Sequence, residues 1–310
     1  MRKLKSFLRN KARFLKTLAN LQKLRCTYNL GKSKLQGMMS PFNQLFKGAD
    51  LTSVIRASSY AKSYSDIYKT SPILIQMTQE KVDECFELIS MGFAETLLAR
   101  DAFFIDQVNK AIRKNYLQFV FIGSGFDSKW IKYINDGESK GQVFFELDLP
   151  LIIEQKKAAY KDANISVPNN QKFIHFDFEK DSMMDSLLDN EFDIKKPSVF
   201  LLEGIVYFIN DKNLSEINNL NYKKTEADLL IVMDFWSDDM VKSKSNHSVK
   251  FFPLPYGRSD NEIIQSFKEM GFDYAQVEEL SELLPPSIKN NSYQIPKGWK
   301  LLTAEYELPS

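Results

Sequence analysis

The chain has 310 residues, 44% of them hydrophobic and 26% charged, a balance that fits a folded globular body and excludes a disordered or fibrous one. Two cysteines, Cys26 and Cys85, are too few for a disulfide framework, and with the distant His175 and His247 they form no zinc-binding cluster, so no metal is expected. The net charge of +1 hides an asymmetry: 12 of the 41 Lys and Arg, and none of the 40 Asp and Glu, fall in residues 1–49.

Beyond that basic head the chain is mildly acidic and carries no nucleic-acid footprint, so a nucleic-acid partner is not expected. In residues 1–25, Leu4, Phe7, Leu8, Phe14, Leu15, Leu18 and Leu21 recur near helical spacing among Arg and Lys, which predicts a basic amphipathic helix. Three roles compete for it: an extension packed on the body, an organelle-targeting segment, and an arm that meets an anionic membrane or a partner. Residues 1–40 are assigned to this extension and residues 41–310 to one main domain, with the boundary near Ser40-Pro41. No apolar stretch reaches the roughly 18 residues needed to cross a bilayer. A cytoplasmic location is expected, with targeting through the basic N-terminus as the alternative.

Residues 31–72, punctuated by Gly31, Gly37, Pro41, Gly48 and Pro72, read as loops and short helices. From 78 to 115 the pattern is helical and breaks at Met91-Gly92 into two helices. About residues 41–115 form a helical cap. Next comes Phe119-Val120-Phe121-Ile122, a short aromatic and β-branched run that reads as a buried strand. It ends abruptly in Gly123-Ser124-Gly125, with Asp127 close behind. Glycines there permit a tight turn and close backbone approach to a ligand, although a purely structural turn competes with that reading.

Apolar and polar segments then alternate as βα units do. Strands are predicted at 142–147, 172–178, 198–202 and 229–235, helices at 151–160 and 263–270, and two closing strands around 274–277 and 301–306. The fold class is α/β, a Rossmann-like, seven-stranded, mostly parallel sheet with helices on both faces and an N-terminal helical cap.

Three acids fall at or just past successive strands: Asp148, Asp177 and Glu203. Each alone is an ordinary loop-end acid. Together with the glycine turn they give one sheet rim several hydrogen-bond acceptors. Asp148 follows Gly125 at an offset near the ~20 residues at which an acid reaches ribose hydroxyls, which points to a nucleoside-bearing cofactor. Ser128 takes the third small position of a dinucleotide fingerprint, but Asp127 would repel a pyrophosphate. A cofactor with a cationic amino-acid end tolerates that acid, which favours S-adenosylmethionine over NAD.

These residues resemble a family. Phe121 to Ser128, F-I-G-S-G-F-D-S, is similar to the N-L-G-A-G-x-D-T motif of the leucine carboxyl methyltransferases. Phe145 to Pro150, F-E-L-D-L-P, resembles the family's F-E-V-D-x-P, with Lys156-Lys157 following in the next helix. Leu201 to Tyr207, L-L-E-G-I-V-Y, resembles L-x-A-E-G-x-x-x-Y, with Ser124 and Leu202 in place of the commoner alanines. The ordered set covers about residues 78–306.

The resemblance implies a class I S-adenosylmethionine-dependent methyltransferase fold. Gly123 and Gly125 would approach the methionine portion, Asp148 would hold the ribose hydroxyls, and Asp177 with Phe178 would meet the adenine. Glu203 would lie near the amino-acid end. Arg100, in R-D-A-F-F, would pair with the cofactor carboxylate, a task suited to its fork of donors. A further upstream basic residue of the family is matched poorly by Arg56 and by Lys62.

The expected reaction is in-line O-methyl transfer, to which the protein contributes orientation and exclusion of water. A carboxylate acceptor, on a protein C-terminus or a small acid, is already ionised and needs no base; a phenol or alcohol would want one, usually His. With only His175 and His247 available, the carboxylate is preferred and no catalytic residue is assigned. Tyr207, Trp236, Tyr256 and Arg258 are candidates for the acceptor pocket or for packing. The alternatives are a phenol or polyketide O-methyltransferase, an NAD-dependent oxidoreductase, and a silent cofactor-binding protein.

Overall fold

Seven apolar segments pair into a single sheet in the order β3-β2-β1-β4-β5-β7-β6. A computed structural model describes residues 91–127, 130, 134, 141–208, 226–237, 240, 259–284 and 297–308. The extension, the first part of the expected cap, His247, Tyr256 and Arg258 lie outside the described residues.

The strands are β1 (Gln118–Ile122), β2 (Val143–Asp148), β3 (Gln171–His175), β4 (Ser198–Leu202), β5 (Leu229–Trp236), β6 (Tyr274–Glu279) and β7 (Trp299–Tyr306). Strands β1 to β5 pair parallel, and β7 runs antiparallel to both β5 and β6. The mostly parallel sheet expected from the sequence is present. Every residue of β1, β4 and β5 is buried, as strands covered on both faces must be.

Alternation divides the sheet into two cores. Val120, Ile122, Phe145, Leu147, Phe200 and Ile231 share one apolar cluster with Ile263 and Phe267 of α4 (Asp260–Glu269). On the opposite side of β1, Phe119 stacks on Phe144 with centroids 5.2 Å apart, and Phe121 meets Trp130 at 4.4 Å. The helix α1 (Met91–Arg113) packs against β4 and β5, so this described part of the expected cap lies on the sheet itself.

The helix α2 (Pro150–Asp162) opens with Pro150, whose missing N–H costs nothing at a helix start. The short α3 (Met183–Leu188) was not foreseen; Ser182 caps it by accepting the Asp185 N–H. Strand β3 ends at His175, earlier than its apolar pattern suggested, because the chain turns at Asp177. There Asp177 Oδ1 accepts the Glu179 N–H at 3.0 Å. Among the described residues, no helix is long and apolar enough to cross a membrane.

Candidate functional site

The parallel order reverses at β1, which lies between β2 and β4, with β3 beyond β2 and β5 beyond β4. Open sheets of this kind hold ligands outside the carboxyl ends of the strands at such a switch point. Both flanks of that point are tightly closed. Gly123 has φ +66°, and a Cβ there would lie 2.6 Å from Ile205 Cγ1, so the turn after β1 presses on the turn after β4. Only a residue without a side chain fits that approach. The Gly123 N–H donates to the Leu147 carbonyl at 2.9 Å, which continues the β1–β2 ladder into the turn.

On the β2 side, Asp148 is buried at the rim. Its Oδ2 accepts the Gly125 N–H at 2.6 Å and its Oδ1 accepts the Leu149 N–H at 2.7 Å. Each carboxylate oxygen has a further lone pair, so both can still accept from ligand hydroxyls. Burial pushes the carboxyl above its ordinary range; the two N–H donors and the charge of Lys156 pull against that shift. Beyond β3, the Phe176 N–H donates to the Asp148 carbonyl at 2.8 Å, which brings residues 176–178 beside the end of β2. Phe178 packs edge-on against Phe176, with centroids 4.7 Å apart. Asp177 binds Lys180 at 2.6 Å, and that contact, with the Glu179 N–H, holds its carboxyl below the usual range.

On the β4 side, Glu203 and Gly204 form the turn. Arg100 reaches it from α1, with Nε 3.4 Å from Glu203 Oε1 and Nη1 3.2 Å from Asp234 Oδ2. The guanidinium lies 5.4 Å from the centre of the Trp299 ring. One oxygen each of Asp101, Asp127 and Glu203 lie within 4.8 Å of one another, so three acids converge beside the arginine. That charge arrangement suits a cation next to an anion, the two ends of an amino-acid zwitterion.

Under the glycine turn lies a second polar group. Lys156 of α2 and Glu146 of β2 are fully buried and ion-paired. Burial raises the Glu146 carboxyl, the Lys156 charge and hydrogen bond oppose that, and the negative charge of Asp127 adds to it. The Tyr160 hydroxyl is likewise pushed well above its ordinary value, by burial first and then by Glu146 and Asp127.

A model of the leucine carboxyl methyltransferase family matches residues 50–219. The chain belongs to the leucine carboxyl methyltransferase family. The resemblance read from the three motifs is thereby borne out, and the relatives that follow carry provisional names as S-adenosyl-L-methionine-dependent methyltransferases.

A Bacillus subtilis protein, YktD, provisionally named an S-adenosyl-L-methionine-dependent methyltransferase, is 28% identical over 188 residues. The match takes in 60% of this chain and 59% of that protein. A Mycobacteroides abscessus protein with the same provisional assignment is 27% identical over 60% of this chain and 64% of its own length. The chain thus spans less than two thirds of either relative.

Two crystal structures share the fold. One, provisionally named a methyltransferase of Thermobifida fusca, has a TM-score of 0.53 at 14% identity and covers 69% of this chain and 83% of its own. A protein of Streptomyces avermitilis gives 0.54 at 12% identity, over 84% of this chain and 97% of that one.

Of the residues singled out from the sequence, Gly123, Gly125, Asp148, Glu203 and Arg100 converge on this rim, and Asp177 and Phe178 flank it. Tyr207 lies in the single turn Val206–Phe208 that follows Gly204. Trp236 is fully buried, at 85° to the Trp299 ring and 6.2 Å from it, so its ring belongs to the packing of β5 on β7. His175 is exposed and bonds Glu154 of α2 at 2.8 Å. Sequence reasoning missed Asp101, Asp234 and Trp299. The available signal for Asp234 was an acid inside an otherwise apolar strand, where burial demands partners.

Proposed function

We propose that the chain is an S-adenosylmethionine-dependent O-methyltransferase whose acceptor is a carboxylate, on a protein C-terminus or a small acid. The supporting observation is that one rim carries both recognition elements the donor needs. Asp148, tied to Gly125 at 2.6 Å, suits ribose hydroxyls. Arg100, 3.4 Å from Glu203, suits the methionine carboxylate, with Asp101, Asp127 and Glu203 ready for its ammonium. The same acids would repel the pyrophosphate of NAD. Asp177 and Phe178 would border the adenine.

Bound there, the donor supplies a methyl group on a sulfonium. The chain's own contribution would be to fix the donor's two ends, the ribose through Asp148 and the amino-acid end through Arg100, beside the Gly123–Gly125 turn. A carboxylate acceptor fits a rim at which the one described histidine, His175, is engaged with Glu154.

The test is incubation of the protein with methyl-labelled S-adenosylmethionine, a peptide with a free C-terminal carboxylate, small carboxylic acids and phenols. Label released as methanol by mild alkali is expected, because methyl esters hydrolyse and aryl methyl ethers do not. Label held stably on a phenol would replace the carboxylate reading. Tight NADH binding with no affinity for the methyl donor would overturn the class.

A further inference from the structure

We propose that Asp234 is a positioning residue for the amino-acid end of the donor, holding both Arg100 and the Glu203-Gly204 turn in their binding geometry. The inference rests on the methyl-donor reading above and deepens it.

Asp234 is fully buried toward the carboxyl end of β5, as the sixth of eight residues that are all buried. A charge in such a place is tolerated only where partners answer it. Its Oδ1 accepts the Gly204 N–H at 2.6 Å. Its Oδ2 accepts the Trp299 indole N–H at 2.8 Å and Arg100 Nη1 at 3.2 Å. One carboxylate therefore joins α1, the turn after β4, and β7 to the strand that carries it.

The joint is sterically exact on the Gly204 side. Gly204 has φ +71°, and a Cβ there would lie 2.9 Å from Arg100 Nη1. The guanidinium thus rests directly on the turn whose preceding residue is Glu203, and the Trp299 ring lies 5.4 Å away on another side. Asp234 is fully buried with both carboxylate oxygens engaged, so it does not offer itself to a ligand directly. It acts through Arg100 and through the turn, and it supplies a negative charge that keeps the guanidinium from collapsing entirely onto Glu203.

Asparagine has the same shape but one acceptor oxygen. Three N–H donors arrive on two oxygens, so either orientation of the amide sets its NH2 against at least one of them. The Asp234→Asn protein should therefore lose the alignment of Arg100 and Gly204 while keeping the volume of the core.

The experiment is calorimetric titration of the full chain with two nucleosides. S-adenosylhomocysteine carries the amino-acid end, and 5′-methylthioadenosine lacks it. In Asp234→Asn, affinity for the first is expected to fall roughly ten- to hundredfold, and affinity for the second to stay within about twofold. Trp299→Phe, which removes only the indole donor, should shift the same selectivity in the same direction by a smaller factor, and it carries the test should Asp234→Asn not fold. Equal losses for both nucleosides, or no change for either, overturn the proposal. A wild-type chain that takes up neither nucleoside overturns the methyl-donor reading and the proposal with it, an outcome distinct from a variant that merely keeps its selectivity.

Discussion

The Gly125 N–H donates to Asp148 Oδ2 at 2.6 Å, so the turn after β1 and the acid that ends β2 are one unit. The hydrogen bond orients the carboxylate across the rim and fixes the turn above which the donor would lie. It also makes the acid's charge state a property of the site.

Burial raises the Asp148 carboxyl from its ordinary value of 3.8. The folded chain therefore holds this proton more tightly than the unfolded one. The contribution to stability is full below the unfolded value and is lost as pH rises through the raised one. On the proposed reading ligand binding would run the other way, because ribose hydroxyls would donate to the ionised carboxylate. Affinity for S-adenosylhomocysteine should weaken as pH falls through the raised value. Asp148→Asn should bind roughly ten- to hundredfold more weakly near neutrality and show a flatter pH profile. Titration calorimetry over a pH series reads both; a variant with wild-type affinity removes Asp148 from the site.

The glycine turn and Asp148 were legible because each ends an apolar run and because their spacing is local. Arg100 was legible only through a family motif, and its partner was not legible at all. Asp234 is 134 residues away in sequence, and the Trp299 that shares it is a further 65 residues on. Pairings of that separation are made by sheet order, which periodicity does not encode. The early end of β3 was hidden for a different reason. Phe176 and Phe178 continue the apolar alternation past His175, but Asp177 binds the Glu179 N–H and turns the chain. The six-residue α3 is too short to show a helical period.

Lys156 and Glu146 should behave as a unit. Both are fully buried, so Lys156→Met leaves an uncompensated carboxylate and should cost about 3–5 kcal/mol. Adding Glu146→Leu removes that charge as well and should recover most of the loss. Urea unfolding of the two variants and the wild type tests the coupling. Equal stability of single and double variants would show that the pair contributes independently of its ion pairing.

Trp236 is fully buried against Trp299, so Trp236→Ala opens a large cavity at the rim end of β5 and β7. A loss of about 3–5 kcal/mol in unfolding free energy is expected. A stability change below about 1 kcal/mol would argue that the ring faces an acceptor pocket instead.

Gly123 offers the most local test of the floor of the site. Alanine there meets two separate penalties. The backbone at φ +66° costs a residue with a Cβ about 1–2 kcal/mol, and the new methyl would sit 2.6 Å from Ile205 Cγ1 and 2.7 Å from its Cδ1. Trimming the neighbour eases only the second penalty, since Ile205→Ala deletes both of those carbons, keeps its Cβ 3.0 Å from the new methyl, and leaves the backbone strain. Gly123→Ala should therefore be more damaging alone than in the Ile205→Ala background, with the difference measured as a coupling in a double-mutant cycle of thermal or urea unfolding. Donor affinity should follow the same order, because the clash would push the turn after β4, and with it Glu203, away from the rim. Strict additivity of the two substitutions would mean that the turns after β1 and β4 do not touch in solution.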